Sequence, residues 1–329
     1  MSICVIGGAG YIGSVTVEKL LDAGKDVVVY DNLSRGHEQA VPPEAVFVKG
    51  DHSDRKLLKN TLEKYNCSAV MHFSALSLVG ESVEKPLLYY ENNVAGGVEL
   101  VKAMKEAGVS RMIFSSTAAV YGEPETMPIR EDALLKPTNP YGNTKLAFER
   151  LLEDLSGSGD FSAVRLRYFN AAGATEQRGE DHRPETHLIP IVLQVAAGER
   201  EAIKVFGGDY PTGDGACVRD YIHVADLAQA HILALEYLEN GGETDVFNLG
   251  NGCGFSVLQV IETAEKVTGK RIPRRKAPRR PGDPAVLIAS SEKIRRKLGW
   301  RPALPELETI IETAWKWRQS HPGGYSEDS

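Results

Sequence analysis

The sequence predicts an α/β fold: a doubly wound parallel sheet followed by a smaller α/β C-terminal lobe. Three observations carry that expectation. Residues 2–6 form an apolar run that ends in a glycine-rich turn and continues as a helix-period pattern. Strand-length apolar runs then alternate with helix-period segments up to about residue 169, which is the pattern of a parallel sheet with helices on both faces. Beyond Asn170 the alternation breaks down and Pro and Gly rise, with Pro184, Pro190, Pro211 and the Gly207-Gly208 and Gly213-Asp214-Gly215 turns.

In chain order, Ser2-Ile3-Cys4-Val5-Ile6 reads as a buried parallel strand, apolar on both faces. Val15, Val17, Leu20 and Leu21 set a helix over about 11–23. Further strands are expected at 26–30, 45–49, 69–73, 111–115 and 163–169, with helices at roughly 55–65, 90–108 and 144–156. In the last of these helices, Ala147, Phe148, Leu151, Leu152 and Leu155 make the buried stripe. Short connections between such elements imply right-handed crossovers. Thr244 to Gly250 looks like a strand returning to the main sheet.

The turn Gly7-Gly8-Ala9-Gly10-Tyr11-Ile12-Gly13 stands between a strand and a helix, the context a dinucleotide motif requires. Gly7 allows the tight turn, Gly10 lets the backbone approach a pyrophosphate, and Gly13 lets helix and strand pack closely. The pyrophosphate then sits at the helix N-terminus. This is a Rossmann-type arrangement. Asp31, after the strand 26–30, can accept hydrogen bonds from ribose hydroxyls and would repel a 2′-phosphate, which favours NAD over NADP. Arg35 reads as a solvated loop residue. Asp51 either holds an adenine amine or shapes its own turn. The expected division is a Rossmann domain over 1–169 with a return strand near 244–250, a substrate lobe over 170–322, and a loose tail over 323–329.

Composition excludes several classes. Apolar residues at 42% and charged residues at 25% are ordinary for a globular enzyme, and the net charge of -7 argues against nucleic acid and anionic membrane surfaces. The four cysteines (Cys4, Cys67, Cys217, Cys253) are too scattered for a disulfide framework or a zinc motif, so a reducing compartment and no metal are expected. No apolar run is long enough to span a bilayer. The first motif starts at Gly7, where a cleaved leader would destroy it, so a cytoplasmic location is expected. Lys270 to Arg280 carries seven Lys/Arg residues, a solvated charge run or a diphosphate contact.

Tyr141 and Lys145 stand four apart at the mouth of the helix 144–156, so both can point into one site. Free Tyr titrates near ~10; bringing it to about 7 takes roughly 4 kcal/mol, which a neighbouring Lys, helped by a positively charged nicotinamide ring, is expected to supply. Ser115-Ser116-Thr117-Ala118-Ala119-Val120-Tyr121-Gly122 leaves the C-terminal end of the strand 111–115, where open α/β sheets keep their sites. Thr117 is the hydroxyl expected to position the reacting oxygen.

The glycine turn, Ser115 to Gly122 and Tyr141 to Lys145 together resemble the extended short-chain dehydrogenase/reductases. Tyr30-Asp31-Asn32-Leu33-Ser34, His72-Phe73-Ser74-Ala75, Val79-Gly80-Glu81-Ser82, Tyr89 to Val94, Tyr168-Phe169-Asn170-Ala171-Ala172-Gly173 and Val218-Arg219-Asp220-Tyr221-Ile222-His223-Val224 narrow the resemblance to the UDP-glucose 4-epimerases, over residues 1 to about 320. The resemblance implies NAD held by Gly7, Gly10, Tyr11, Ile12, Gly13, Asp31, Asn32, Asp51, Phe73, Ala75, Asn92, Ser115, Tyr141, Lys145 and Tyr168. It implies a UDP-sugar held by Thr117, Tyr141, Asn170, His187, Leu188, Phe206, Arg219, Arg280, Asp283 and Leu287. Catalysis would fall to Tyr141, Lys145 and Thr117, through hydride removal from carbon 4, rotation of the 4-keto sugar, and return of the same hydride. Ala118 and Ala119 replace the acidic residues of related dehydratases, which favours epimerisation. His187 stands where close relatives carry Asn, and Ser77 where some carry Lys. Leu287, intermediate in size at a position that gates the sugar 2-substituent, implies some activity on UDP-N-acetylhexosamines.

A homodimer is also implied, with residues 90–108 and 144–156 pairing through a stripe such as Leu100, Met104 and Leu151; the alternative packs those residues on the sheet. Two rival functions stand beside the leading one. An epimerase of UDP-glucuronate or UDP-pentoses differs by one sugar substituent. A catalytically silent dinucleotide sensor would lack Tyr141, Lys145 or Thr117, and all three are present.

Overall fold

The large sheet holds seven parallel strands. In the computed structural model, which describes residues 1–159, 161–280 and 283–325, six of them come from the first half: β1 (Ser2–Ile6), β2 (Val27–Asp31), β3 (Val46–Lys49), β4 (Cys67–His72), β5 (Arg111–Thr117) and β6 (Ser162–Tyr168). The seventh, Asp245–Leu249, comes from the second half and pairs parallel with β6. The spatial order is Asp245–Leu249, β6, β5, β4, β1, β2, β3. Chain order therefore reverses between β1 and β4. A crevice opens there at the C-terminal strand ends, where ligands of such sheets bind.

Period-two alternation divides the sheet residues between two cores. Ile3 and Val5 face one side with Val29, Met71, Ile113 and Leu166, covered by Val17 and Leu20 of the helix Tyr11–Asp22 and by Leu227 and Leu235 of the helix Val224–Glu239. Cys4 and Ile6 face the other with Val28, Val70, Met112 and Phe114, under the helices Arg55–Lys64, Gly96–Glu106 and Pro140–Gly157. The helix Val224–Glu239 thus returns to the large sheet along with its strand.

Two expectations change here. The single helix expected over 90–108 is two, Pro86–Tyr90 and Gly96–Glu106, joined by a π turn over Glu91–Ala95. Insertions of this kind often mark functional sites, and Asn92 lies in it. Leu100 and Met104 are fully buried against the sheet and cannot form an exposed dimer stripe. Their face of the helix is the one the apolar sheet surface covers.

The smaller lobe has its own core, where the helices Leu188–Ala196, Val257–Thr268 and Leu307–Ser320 meet Tyr221 of the strand Val218–His223. That strand pairs parallel with Asn170–Ala172 and Val286–Leu287 and antiparallel with Gly254–Ser256. Arg274–Ala277 forms a strand beside Ile203–Phe206, so three of the seven basic residues of that run, Arg274, Arg275 and Lys276, lie on a sheet edge. Of the tail expected to be loose from Gly323 onward, Tyr325 is docked: its hydroxyl accepts from Gly179 N at 3.0 Å and its ring packs on Trp317. Residues 326–329 lie outside the described residues. Among the described residues, no helix is long and apolar enough to cross a membrane.

Candidate active site

The glycine turn is built for close backbone approach. Gly7 has φ +79°, and a Cβ there would lie 2.6 Å from Ser74 N. A Cβ on Gly13 would lie 2.2 Å from the Gly7 carbonyl oxygen. Gly10 differs: a Cβ there would meet only that same oxygen, at 3.4 Å. The helix that follows begins with no side-chain cap, so its first N–H groups remain for an anion. Open space over Gly10 and an uncapped helix start fit the pyrophosphate of NAD. Tyr11 sends its hydroxyl to the Gly173 carbonyl at 2.6 Å, which ties the turn to the chain entering the smaller lobe. Ile12 packs in the core beneath.

Asp31 is buried at the end of β2 and accepts from Ala9 N at 3.0 Å and Leu33 N at 2.8 Å. Burial raises its pKa, and these bonds offset only part of the rise. A carboxylate has about four acceptor sites, so ribose hydroxyls still find a partner. Asp51 accepts from Asn32 Nδ2 at 2.7 Å and from the Ser53 hydroxyl at 2.6 Å. Burial opposes ionisation there, but these bonds outweigh it and lower the pKa. Asp51 thus shapes its own turn, as one of its two readings has it, and also anchors Asn32. Phe73 follows β4 with its N–H on the Ile6 carbonyl and its ring 4.7 Å from that of His231. Ala75 lies two residues further on. The Asn92 carbonyl meets His52 Nε2 at 2.9 Å.

Tyr141 and Lys145 come from the helix Pro140–Gly157, which starts with Pro140 and is capped by Asn139, whose side chain accepts from Gly142 N at 2.9 Å. Lys145 is almost fully buried. Its Nζ donates to the Ser115 carbonyl at 2.9 Å and lies 4.8 Å from the centre of the Phe114 ring. Burial pulls its pKa down to about 7, against the opposing charge of Glu149. Burial raises the Tyr141 pKa, and an interaction with the Thr117 hydroxyl offsets part of the rise. Thr117 ends β5 in register with Tyr168 of β6, and its Oγ1 also accepts from Ala119 N at 3.1 Å. The Tyr168 hydroxyl is bonded to His231 Nε2.

The residues expected around a UDP-sugar fall into a group across the crevice. Arg219 is paired with Asp283, and the Arg280 guanidinium lies 4.0 Å over the Phe206 ring. Asn170 donates to the Asp220 carbonyl at 2.9 Å. Leu287 pairs in register with Arg219 and packs beside Tyr121, Leu146 and Phe169, so it bridges this group and the Tyr141 helix. Leu188 opens its helix against the lobe core. His187 stands apart from this group in its bonding: its Nδ1 is 2.7 Å from Glu180 and 2.9 Å from Glu185.

Sequence reasoning missed the support behind the site. Glu149 and Arg167 are buried charges that bond each other, and the Ser116 hydroxyl donates to Glu149. The signal was available: Glu149 follows Phe148 on the buried side of a helix, and Arg167 interrupts an apolar strand. Tyr210, buried beneath Arg279 with its hydroxyl unpartnered among the described residues, was not singled out either.

Comparison with known proteins agrees with this geometry. The model of the NAD dependent epimerase/dehydratase family matches residues 3–250. A UDP-glucose 4-epimerase of Halalkalibacterium halodurans is 55% identical, covering 100% of this chain and 99% of that protein. A crystal structure of a UDP-glucose 4-epimerase superposes with a TM-score of 0.97 at 54% identity, covering 99% of this chain and 100% of that one. Another, from Stenotrophomonas maltophila with bound NAD and formylated UDP-arabinopyranose, gives 0.95 at 42% identity, covering 98% and 99%.

Proposed function

The chain belongs to the NAD dependent epimerase/dehydratase family, and we propose that within it this enzyme interconverts UDP-galactose and UDP-glucose at carbon 4 of the hexose. It is an NAD-dependent isomerase. The observation that carries the reading is Tyr141 close enough to Thr117 for its hydroxyl to ease ionisation of the phenol, with Lys145 one turn on along the same helix, in a chain that matches a UDP-glucose 4-epimerase from end to end.

Bound NAD would supply a reversible hydride acceptor at carbon 4, with no net oxidation over the cycle. The first N–H groups of the helix Tyr11–Asp22 would hold its pyrophosphate, with Gly7, Gly10 and Gly13 allowing the close approach of the backbone, and Asp31 with Asn32 would hold the adenosine ribose. Tyr141 takes the proton of the sugar 4-hydroxyl, with Thr117 holding that oxygen and Lys145 steadying the nicotinamide ribose. Arg219 and Arg280 grip the diphosphate, Asn170 meets the diphosphate or the sugar, and Leu188 and Phe206 flank the uracil, with Asp283 on the uridine ribose. A firm hold on UDP and a loose one on the hexose lets the keto sugar turn. Ala118 and Ala119 offer no acid for eliminating water.

A homodimer accompanies this reading. The helices Val79–Glu84 and Pro86–Tyr90 leave Val79, Val83, Leu87, Leu88 and Tyr90 exposed. An apolar patch of this kind beside the helix Pro140–Gly157 suits a second copy of the chain. The four free cysteines suit the reducing cytoplasm.

The deciding experiment incubates purified protein with UDP-galactose, adds no cofactor, and follows UDP-glucose by chromatography. Conversion by the wild type and none by Tyr141→Phe is expected. If the wild type converts nothing even with added NAD, UDP-galactose is not the substrate, and parallel assays on UDP-glucuronate and UDP-pentoses decide the replacement.

A further inference from the structure

We propose that Glu180, His182, Glu185 and His187 bind one divalent transition-metal cation of the Zn²⁺ class, which locks the segment leading into the helix Leu188–Ala196 against the glycine turn. One ligand atom from each of the four lies within 4.8 Å of the others. Glu180 Oε1 is 3.0 Å from His182 Nδ1 and 2.7 Å from His187 Nδ1, and Glu185 Oε1 is 2.9 Å from His187 Nδ1. Both imidazoles turn the same nitrogen, Nδ1, toward the carboxylates.

Two imidazole nitrogens and two carboxylate oxygens make a donor set that four-coordinate zinc accepts, at bond lengths of about 2.0–2.2 Å. At those lengths a tetrahedral edge is about 3.4 Å. The contacts now at 2.7–3.0 Å need to open by about 0.4–0.7 Å, and the wider pairs of the group, up to 4.8 Å apart, need to close, to admit the ion. Four protein donors close the coordination sphere, which marks a structural rather than a catalytic metal.

Charge supplies an independent argument. The Glu180 and Glu185 side chains are 7% and 3% exposed. Among the described residues their ion-pair partners are His182 and His187 alone, with no Lys or Arg. A dication cancels both charges and takes neutral imidazoles as ligands. Glu185 Oε1 is also aimed from behind, accepting from Thr186 N and His187 N, each at 2.7 Å.

The location gives the ion its role. The His182 ring meets Tyr11 edge-on at 6.3 Å, and Tyr11 holds Gly173 through its hydroxyl. Leu188, expected beside the uracil, follows His187 directly. The cation would therefore hold a wall between the cofactor turn and the base-binding helix. The spacing Glu-x-His-x-x-Glu-x-His is visible in the sequence but carries no cysteine and no familiar zinc spacing, so the folded contacts are needed to see it.

The test uses untagged, full-length protein stripped with EDTA, equilibrated with ZnCl₂, gel-filtered, and analysed for metal by mass spectrometry, with a melting curve before and after. About one zinc per chain and a higher Tm are expected. The His182→Asn, His187→Asn double variant should retain at least about tenfold less zinc and show no zinc-dependent Tm shift. Because that variant could misfold, wild type is also loaded with Co²⁺, whose strong visible absorption reports four-coordinate N/O ligation. No retained zinc in the wild type, equal retention in a folded variant, or the weak spectrum of six-coordinate cobalt would each overturn the proposal.

Discussion

Glu149 and Arg167 form an ion pair at 2.6 Å, with their side chains 2% and 3% exposed, directly behind the strand end that carries Thr117. Glu149 lies one helical turn past Lys145 and supplies the charge that opposes burial there. Removing one partner of a buried pair leaves the other charge stranded, which costs about 3–5 kcal/mol. Glu149→Gln should lose stability of that order in denaturant unfolding. It should also lower the Lys145 pKa further, moving the alkaline limb of kcat/KM to lower pH. Wild-type stability together with an unmoved pH profile would refute this account of the pair.

Thr117 is the group that lowers the Tyr141 pKa against burial. In Thr117→Val that pKa should rise. A base is active only when deprotonated, so the acid limb of the rate profile should move to higher pH. The rate at its plateau should fall by about 10²-fold, within the usual range for one acid–base contact. A pH–rate series on UDP-galactose reads both effects.

Stability should fall in mild acid. Burial holds His223 and His231 near pKa 4 in the folded protein, against about 6.5 when unfolded. Between those values the unfolded chain binds more protons, so each imidazole removes up to roughly 3 kcal/mol as pH drops from about 6.5 to 4. His223 caps its helix by accepting from Ala225 N at 3.1 Å. His223→Asn keeps an acceptor without the titration, and its unfolding midpoint should depend less steeply on pH than that of the wild type.

Leu287 sits between the Arg219 strand and the cluster of Tyr121, Leu146 and Phe169. A larger ring there should crowd the sugar 2-substituent. Wild type should turn over UDP-N-acetylglucosamine measurably, and Leu287→Tyr should lose that activity while keeping UDP-galactose. Equal rates for the two proteins on the N-acetyl sugar would sink the gating role.

Leu87 is 76% exposed at the centre of the apolar patch. Leu87→Asp should convert a dimer to a monomer in sedimentation velocity at micromolar concentration, with the folded monomer's circular dichroism unchanged. A wild type that sediments as a monomer would remove the homodimer from the proposal.

Local patterns made much of this protein legible. The apolar strands, the glycine turn and the helix bearing Tyr141 and Lys145 are read from spacing because period and backbone geometry act over neighbouring residues. The π turn at Glu91–Ala95 was not legible, since it interrupts a continuous helix pattern. Leu100 and Met104 showed an apolar stripe but not which surface would cover it, and the sheet covers it here.

The sequence by itself determined the apolar strand segments, the glycine turn and the Tyr141–Lys145 spacing, because each depends on residues within a few positions of one another. Tertiary structure alone decided that Lys145 is held by the Ser115 carbonyl, that Arg167 neutralises Glu149, and that Arg219 pairs with Asp283 rather than its neighbour Asp220. Those contacts join residues 18 to 64 positions apart. Their partners are chosen by strand order and burial, which no local pattern encodes.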